Sequence, residues 1–235
     1  EPSPITVGVP AVLLRWLKRA PLMFWVQDLW PESLSATGAI KSRWILRLVE
    51  ALVRFLYRHS DRILIQSRAF APPIVALGAD ATRIRYFPNS AESLYQPADN
   101  TAATGLEPGL PAGFRVMFAG NIGAAQDFET ILAAAALLRN ETSIQWLVLG
   151  DGRLRAWVAE EIEARGLQAT FHLLGRHPPE AMPRFFARSD AMLVTLKKEP
   201  IFALTLPAKV QSYLACAKPI IAALDGEGAR VVTEA

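Results

Sequence analysis

The run Gly120-Asn121-Ile122-Gly123 stands where an apolar segment gives way to a helical pattern. A glycine-bearing turn of that kind leaves main-chain amides open to a phosphate. Its spacing fits neither the dinucleotide fingerprint G-x-G-x-x-G nor a P-loop with its Lys-Ser/Thr pair, so neither NAD nor ATP is indicated. Further along, Pro207 marks a helix start with Lys209 in its first turn. A cation there opposes the helix dipole unless an anion shares the site, so Lys209 is either a phosphate partner or a solvated surface lysine. Arg176, directly after an apolar run, carries the same two readings. Asp28 and Glu32, with Trp30 between them, close another apolar run. Two carboxylates and an indole suit acid/base work or sugar stacking, and the plainer alternative is that Glu32 and Ser33 begin a short helix.

Other chemistries are missing from the pattern. The three histidines, His59, His172 and His177, have no zinc-ligand spacing, and no G-x-S-x-G elbow occurs. No metal site is expected. The single cysteine, Cys216, sits in an apolar, alanine-rich run and reads as a packed thiol in a reducing compartment.

These residues need elements to hold them. From 113 onward, apolar runs at 116–119, 146–149, 171–174, 191–196 and 220–224 alternate with helical patterns at 126–139, 154–165, 179–188 and 208–217. Strands that lack polar alternation are buried on both faces, which predicts βαβ units and a parallel, doubly wound sheet. Ligands in such sheets bind outside the carboxyl ends of the strands. Those ends carry Gly120–Gly123, the triplet Gly150, Asp151 and Gly152, the pair Gly175 and Arg176, and the loop Gly226, Glu227 and Gly228. Before 96 the pattern is sparser, with strands at 22–26 and 62–65, a last one near 86–87, and a long amphipathic helix at 42–59. Turn formers dominate 96–112, which reads as a linker between a region 1–95 and a region 113–235.

Half the 235 residues are hydrophobic (51%) and a fifth charged, which excludes a disordered chain. The net charge of +3 is uneven: residues 1–64 carry nine Lys/Arg against five Asp/Glu, whereas the remainder carries sixteen against seventeen. One basic part suggests contact with an anionic surface. Within 42–59, arginines 43, 47, 54 and 58 fall within about 60° of helical arc beside Glu50, with Leu46, Val49, Val53 and Leu56 on the core side. That is either a solvated, salt-bridged face or a basic face for a membrane, aided by Trp16, Lys18 and Arg19. No apolar run is long enough to span a bilayer. Because Glu1 is not an initiator methionine and 231–235 stop within a helical pattern, a fragment is expected.

Five segments, WVQDLWPES at 25–33, FAGNIGAAQ at 118–126, GDG at 150–152, PAKVQSYLA at 207–215 and KPII at 218–221, together resemble the GT-B-fold family 4 glycosyltransferases. The resemblance is greatest to the bacterial branch that builds O-antigen, colanic-acid and capsule repeat units, and it covers essentially the whole chain. It implies an α/β fold of GT-B architecture: two Rossmann-like parallel-sheet domains facing across a cleft, the N-terminal one truncated here. The acceptor lies on the N-terminal side and the nucleotide sugar on the C-terminal side. The implied reaction moves a sugar from a nucleotide-sugar donor, a UDP-sugar above all, to a polyprenyl-diphosphate-linked saccharide, with retention, without a metal and without a cofactor. The resemblance also implies a cytoplasmic protein peripheral on the inner membrane, touching it through the 42–59 helix, and no nucleic-acid partner.

Carried over by position, the donor site comprises Gly120, Asn121, Gly123, Gly150, Asp151, Gly152, Arg176, Pro207, Lys209, Ser212, Gly226, Glu227 and Gly228. The catalytic candidates are Asp28, Glu32 and Glu199. The family's Gly-Arg is Gly120-Asn121 here, and neither Gln126 nor Asp127 supplies its following lysine, so Lys209 is expected to replace that charge. Ser212 stands at the second glutamate of the family's paired-glutamate motif, with Glu199 as the first. Gln27 stands where many members have a histidine. A nucleotide-sugar 2-epimerase of the same architecture and a catalytically degenerate partner subunit are the alternatives; the scarcity of histidine argues against the epimerase.

Overall fold

Runs such as IQWLVL at 144–149 and AMLVT at 191–195 can be buried on both faces only inside a sheet covered by helices, and the computed structural model places them there. It describes residues 5–38, 40–98 and 109–235. The strands are β1 (Met23–Val26), β2 (Arg62–Ile65), β3 (Ile84–Tyr86), β4 (Phe114–Ala119), β5 (Ile144–Leu149), β6 (Phe171–Gly175), β7 (Ala191–Thr195) and β8 (Ile220–Ala223). The helices are α1 (Gly8–Lys18), α2 (Glu32–Ala36), α3 (Arg43–His59), α4 (Ala71–Ala76), α5 (Phe128–Leu137), α6 (Arg155–Ala164), α7 (Met182–Ala187), α8 (Pro200–Ala203), α9 (Lys209–Ala215) and α10 (Gly226–Glu234). Of the 96–112 linker, residues 99–108 lie outside the described residues.

Two compact units result. The first takes in the chain up to Asn89 with Glu199–Leu206 and Gly226–Gly228; the second holds Ser90–Lys198, Pro207–Asp225 and Ala229–Ala235.

In the first unit β1, β2 and β3 form a parallel sheet in that order. Ile63 and Ile65 alternate inward with Val26, and Val53, Leu56 and Tyr57 of α3 are buried. The expected core side of α3 holds only in its second half. Leu46 and Val49 are half-buried, while Trp44 is 69% exposed and Leu48 51%. At the other end of α1, Arg15 donates two hydrogen bonds to Asp61, at 2.8 and 2.7 Å, and the Leu22 amide adds a third. These donors hold the Asp61 carboxyl well below the usual carboxylate range.

In the second unit all five strands are parallel, in the order β6-β5-β4-β7-β8. Phe128, Ile131, Leu132 and Ala135 repeat at helical spacing, and α5 buries all four. They meet Phe118, Val148, Val158 and Ile162 in one cluster, where each large side chain contributes about 1.5–3 kcal/mol relative to exposure. Of the helical pattern at 179–188, residues 179–181 form a short 3-10 turn and the regular part is the short α7, with Pro183 in its first turn. Cys216 is buried, as a packed thiol should be.

Sequence order reverses between β4 and β7. After β4 the chain winds outward through β5 to β6; it then returns past β4 to β7 and continues to β8. A crevice opens at such a reversal, outside the carboxyl ends of the two strands.

Candidate functional site

The turn after β4 is built at this reversal. Gly120 has φ +141° and Gly150 φ +142°, a region of backbone that L side chains rarely adopt. A Cβ on Gly150 would collide with the Gly120 carbonyl, so the bare backbone lets the turns after β4 and β5 close on each other. The Ile122 amide donates to the Asp151 carbonyl at 2.8 Å and the Leu154 amide to the Ile122 carbonyl at 3.0 Å. The other flank is pinned as well: Thr195, at the end of β7, donates its hydroxyl to the Gln126 carbonyl, and the Lys197 amide donates to that of Ala125.

This bracing decides which amides remain for a ligand. Those of Gly120 and Ile122 are spent on Leu149 and Asp151, whereas those of Asn121 and Gly123 meet no acceptor among the described residues. Two amides of the turn are thus left over, because the turn must also bond to its neighbour strand. The Asn121 side chain folds back against Gly123 and Gly152, where a Cβ on either glycine would crowd it. Asp151 accepts the Gly152 amide at 2.8 Å.

Lys209 is the first residue of α9, whose position is set by Tyr213. The Tyr213 hydroxyl accepts the Ala119 amide at 3.0 Å and donates to the Ala119 carbonyl at 3.2 Å. The β4 and β7 register pairs end at Met117, so a tyrosine completes the ladder that the diverging strands leave open. One turn upstream, Lys209 Nζ lies 3.6 Å from the centre of the Phe118 ring, and only 3.1 Å from where a Cβ on Gly120 would sit. Nζ is buried and has no hydrogen-bond partner among the described residues, as is Gln126 Oε1 in the adjoining turn. Burial pulls the Lys209 pKa down to about 7.

Arg176 is exposed at the end of β6, the edge strand, two strands from β4. Ser212 lies one turn beyond Lys209, but its hydroxyl is hydrogen-bonded to Tyr95, whose ring stacks on Phe186. Pro207 accepts the Val210 amide at 3.0 Å and so begins α9. Gly226, Glu227 and Gly228 open α10 and count with the first unit, where Gly226 packs against the Ala203 carbonyl.

The three carboxylates selected from sequence all fall in the first unit. Glu32 at the start of α2 and Glu199 before α8 line one cleft of about 480 Å³, together with Leu29, Pro73, Ile201 and Leu204. Asp28 follows β1, and burial raises its pKa. Sequence reasoning missed an amide network on the same edge. Gln27 and Asn89 exchange hydrogen bonds at 3.1 Å, and Gln66, 2% exposed, leaves its Oε1 without a partner. Polar residues immediately after each apolar run were its only sequence signal. Among the described residues no group of three or more His, Cys, Asp or Glu could hold a metal ion, and no helix is long and apolar enough to cross a membrane.

Comparison with known proteins adds to this geometry. Residues 2–90 match the family model of a glycosyl transferase 4-like domain, and residues 113–235 that of glycosyl transferases group 1. WbjE of Pseudomonas aeruginosa, named a probable glycosyltransferase, is 30% identical over 230 residues, covering 94% of this chain and 56% of that protein. WcaI of Escherichia coli K12, provisionally named a colanic acid biosynthesis glycosyl transferase, is 26% identical over 210 residues, covering 86% and 51%. The chain thus spans about half the length of the curated relatives it matches. Anabaena HepE, solved with UDP and glucose, superposes with a TM-score of 0.70 at 16% identity, over 97% of this chain and 59% of that one. WaaG, a glycosyltransferase involved in lipopolysaccharide biosynthesis, gives 0.67 at 11% identity, over 100% and 69%. At such identities these two likenesses speak for the fold alone.

Proposed function

The chain belongs to the family of group 1 glycosyl transferases and has the α/β GT-B architecture of two Rossmann-like parallel-sheet units, and on that premise we propose that it transfers a sugar from a nucleotide-sugar donor. One observation carries the reading: the buried Lys209 Nζ, with no acceptor among the described residues, beside the Gly120 turn at the reversal of strand order. A donor diphosphate gathers negative charge as its sugar departs, and preorganised donors aimed at those oxygens lower the barrier. Lys209 Nζ and the amides of Asn121 and Gly123 supply such donors. With the cation on a side chain, the leaving group needs no metal. A UDP-sugar is the proposed donor, supported by HepE, which has been solved with UDP-glucose.

The acceptor is a lipid-linked saccharide in bacterial surface polysaccharide synthesis, a reading supported by the WcaI name, and transfer proceeds with retention. Asp28, Glu32 and Glu199 hydrogen-bond sugar hydroxyls at the strand ends of the first unit, where the cleft shared by Glu32 and Glu199 supports that role. The protein works at the cytoplasmic face of the inner membrane. There Arg43 and Arg47 attract anionic headgroups while the exposed Trp44 and Leu48 enter the interface.

A thermal-shift series with UDP-glucose, UDP-galactose, UDP-N-acetylglucosamine and GDP-mannose tests the reading, because a ligand that binds only the folded chain raises its melting temperature by mass action. At least one is expected to do so; no shift with any of them contradicts it.

A further inference from the structure

A buried ammonium needs acceptors for three N–H donors, and Lys209 has none among the described residues. Phe118 closes one side at 3.6 Å and Gly120 another. Among the described residues no titratable group offsets this. β4 and its turn present Phe118 and Gly120, and β7, which packs on α9, consists of Ala, Met, Leu, Val and Thr. On α9 itself, the Tyr213 hydroxyl is committed to the Ala119 backbone. In the turn after β5, the Asp151 carboxylate holds the Gly152 amide, and burial lowers the Lys209 pKa.

Two effects compete over the proton. The Phe118 ring favours the charged form modestly. Removing an unpaired ion from water costs more than the ring returns, so burial wins and the unliganded amine gives up its proton near neutrality. Diphosphate oxygens reverse the balance, since they supply the missing acceptors and a counter-charge within hydrogen-bond distance.

We propose that nucleoside-diphosphate binding to this chain takes up a proton from solvent onto Lys209 Nζ, so that the lysine becomes a cation only in the complex. The proposal rests on the donor-site reading above. The pH dependence follows from the two protonation equilibria. Below about pH 7 the free amine already carries the proton and binding takes up little. Above it, up to the ordinary lysine range, each binding event takes up nearly one proton and affinity weakens as pH rises. Between pH 7 and pH 9 the loss is roughly 50-fold.

Calorimetric titration of the chain with UDP, and with GDP and dTDP in parallel, at pH 8 in buffers of low and high ionisation enthalpy counts the protons. About 0.9 proton per ligand bound is expected, independent of the base. Lys209→Arg, a cation at every accessible pH, is expected to bind without uptake and with a pH-flat affinity. Binding by the wild-type chain without uptake overturns the proton linkage and leaves the donor site standing. Uptake that persists in Lys209→Arg overturns the assignment to Lys209. No binding of any of the three nucleotides at pH 6.5 overturns both readings. The wild-type proton count requires no variant, so a substituted chain that fails to fold does not remove the decision.

Discussion

Burial disfavours the charged form of both Lys209 and Asp28, which makes them the residues where substitution is most informative. A methionine at 209 keeps the apolar stem against Phe118 and removes the orphaned donors. Replacing a buried charge by an apolar isostere is commonly neutral or stabilising. Lys209→Met is therefore expected to melt no lower than the wild type while binding UDP about 10- to 100-fold more weakly, the range for a lost charged hydrogen bond. Calorimetry and a melting curve on the same sample check both halves. At Asp28 the folded-state pKa is raised by burial, so its contribution to stability is fully present below the unfolded value and is lost as pH rises through the folded one. Asp28→Asn is expected to raise the denaturation midpoint at pH 7, with a smaller gain at pH 4. At this scale the sequence was legible in part. The Pro207 and Lys209 spacing singled out the lysine, but a local pattern could not separate a solvated side chain from a buried one, because the ring beneath it belongs to a distant strand.

Among the elements, α9 has the plainest structural burden. It is seven residues long, too short to be stable alone, and it is anchored by the Tyr213 hydroxyl on the Ala119 main chain. Tyr213→Phe leaves that amide and carbonyl unpaired in the interior. A loss of about 1–3 kcal/mol in the second unit is expected, together with weaker UDP binding as Lys209 shifts. Denaturant unfolding and calorimetry report the two effects, and a variant with unchanged stability would show that the hydroxyl is not the anchor. The strands of the second unit could be read from sequence because burial on both faces leaves unbroken apolar runs. Helix α8 could not, since four residues carry no period. On α3 the periodicity was right, but the core it implied is supplied only along Val53, Leu56 and Tyr57, leaving Trp44 and Leu48 exposed.

For the molecule as a whole, the fold class was legible because alternation of strand and helix constrains topology strongly. The meeting of Glu32 with Glu199 was not, since it depends on how the segment around α8 returns to the first unit. The charge excess of 1–64 becomes meaningful beside the exposed Trp44 and Leu48. Each basic residue near an anionic bilayer contributes about 1 kcal/mol. The chain is expected to sediment with phosphatidylglycerol-containing vesicles, less so in high salt, and less again when Arg43→Glu and Arg47→Glu are combined. Equal partition to purely zwitterionic vesicles would contradict the membrane reading.

The central claim places a donor pyrophosphate between Lys209 and the turn after β4. A crystal structure of the chain with UDP-glucose tests it most directly. The account predicts a phosphate oxygen about 2.8 Å from Lys209 Nζ and others on the amides of Asn121 and Gly123. A nucleotide bound elsewhere, with Nζ still facing only Phe118, would contradict it.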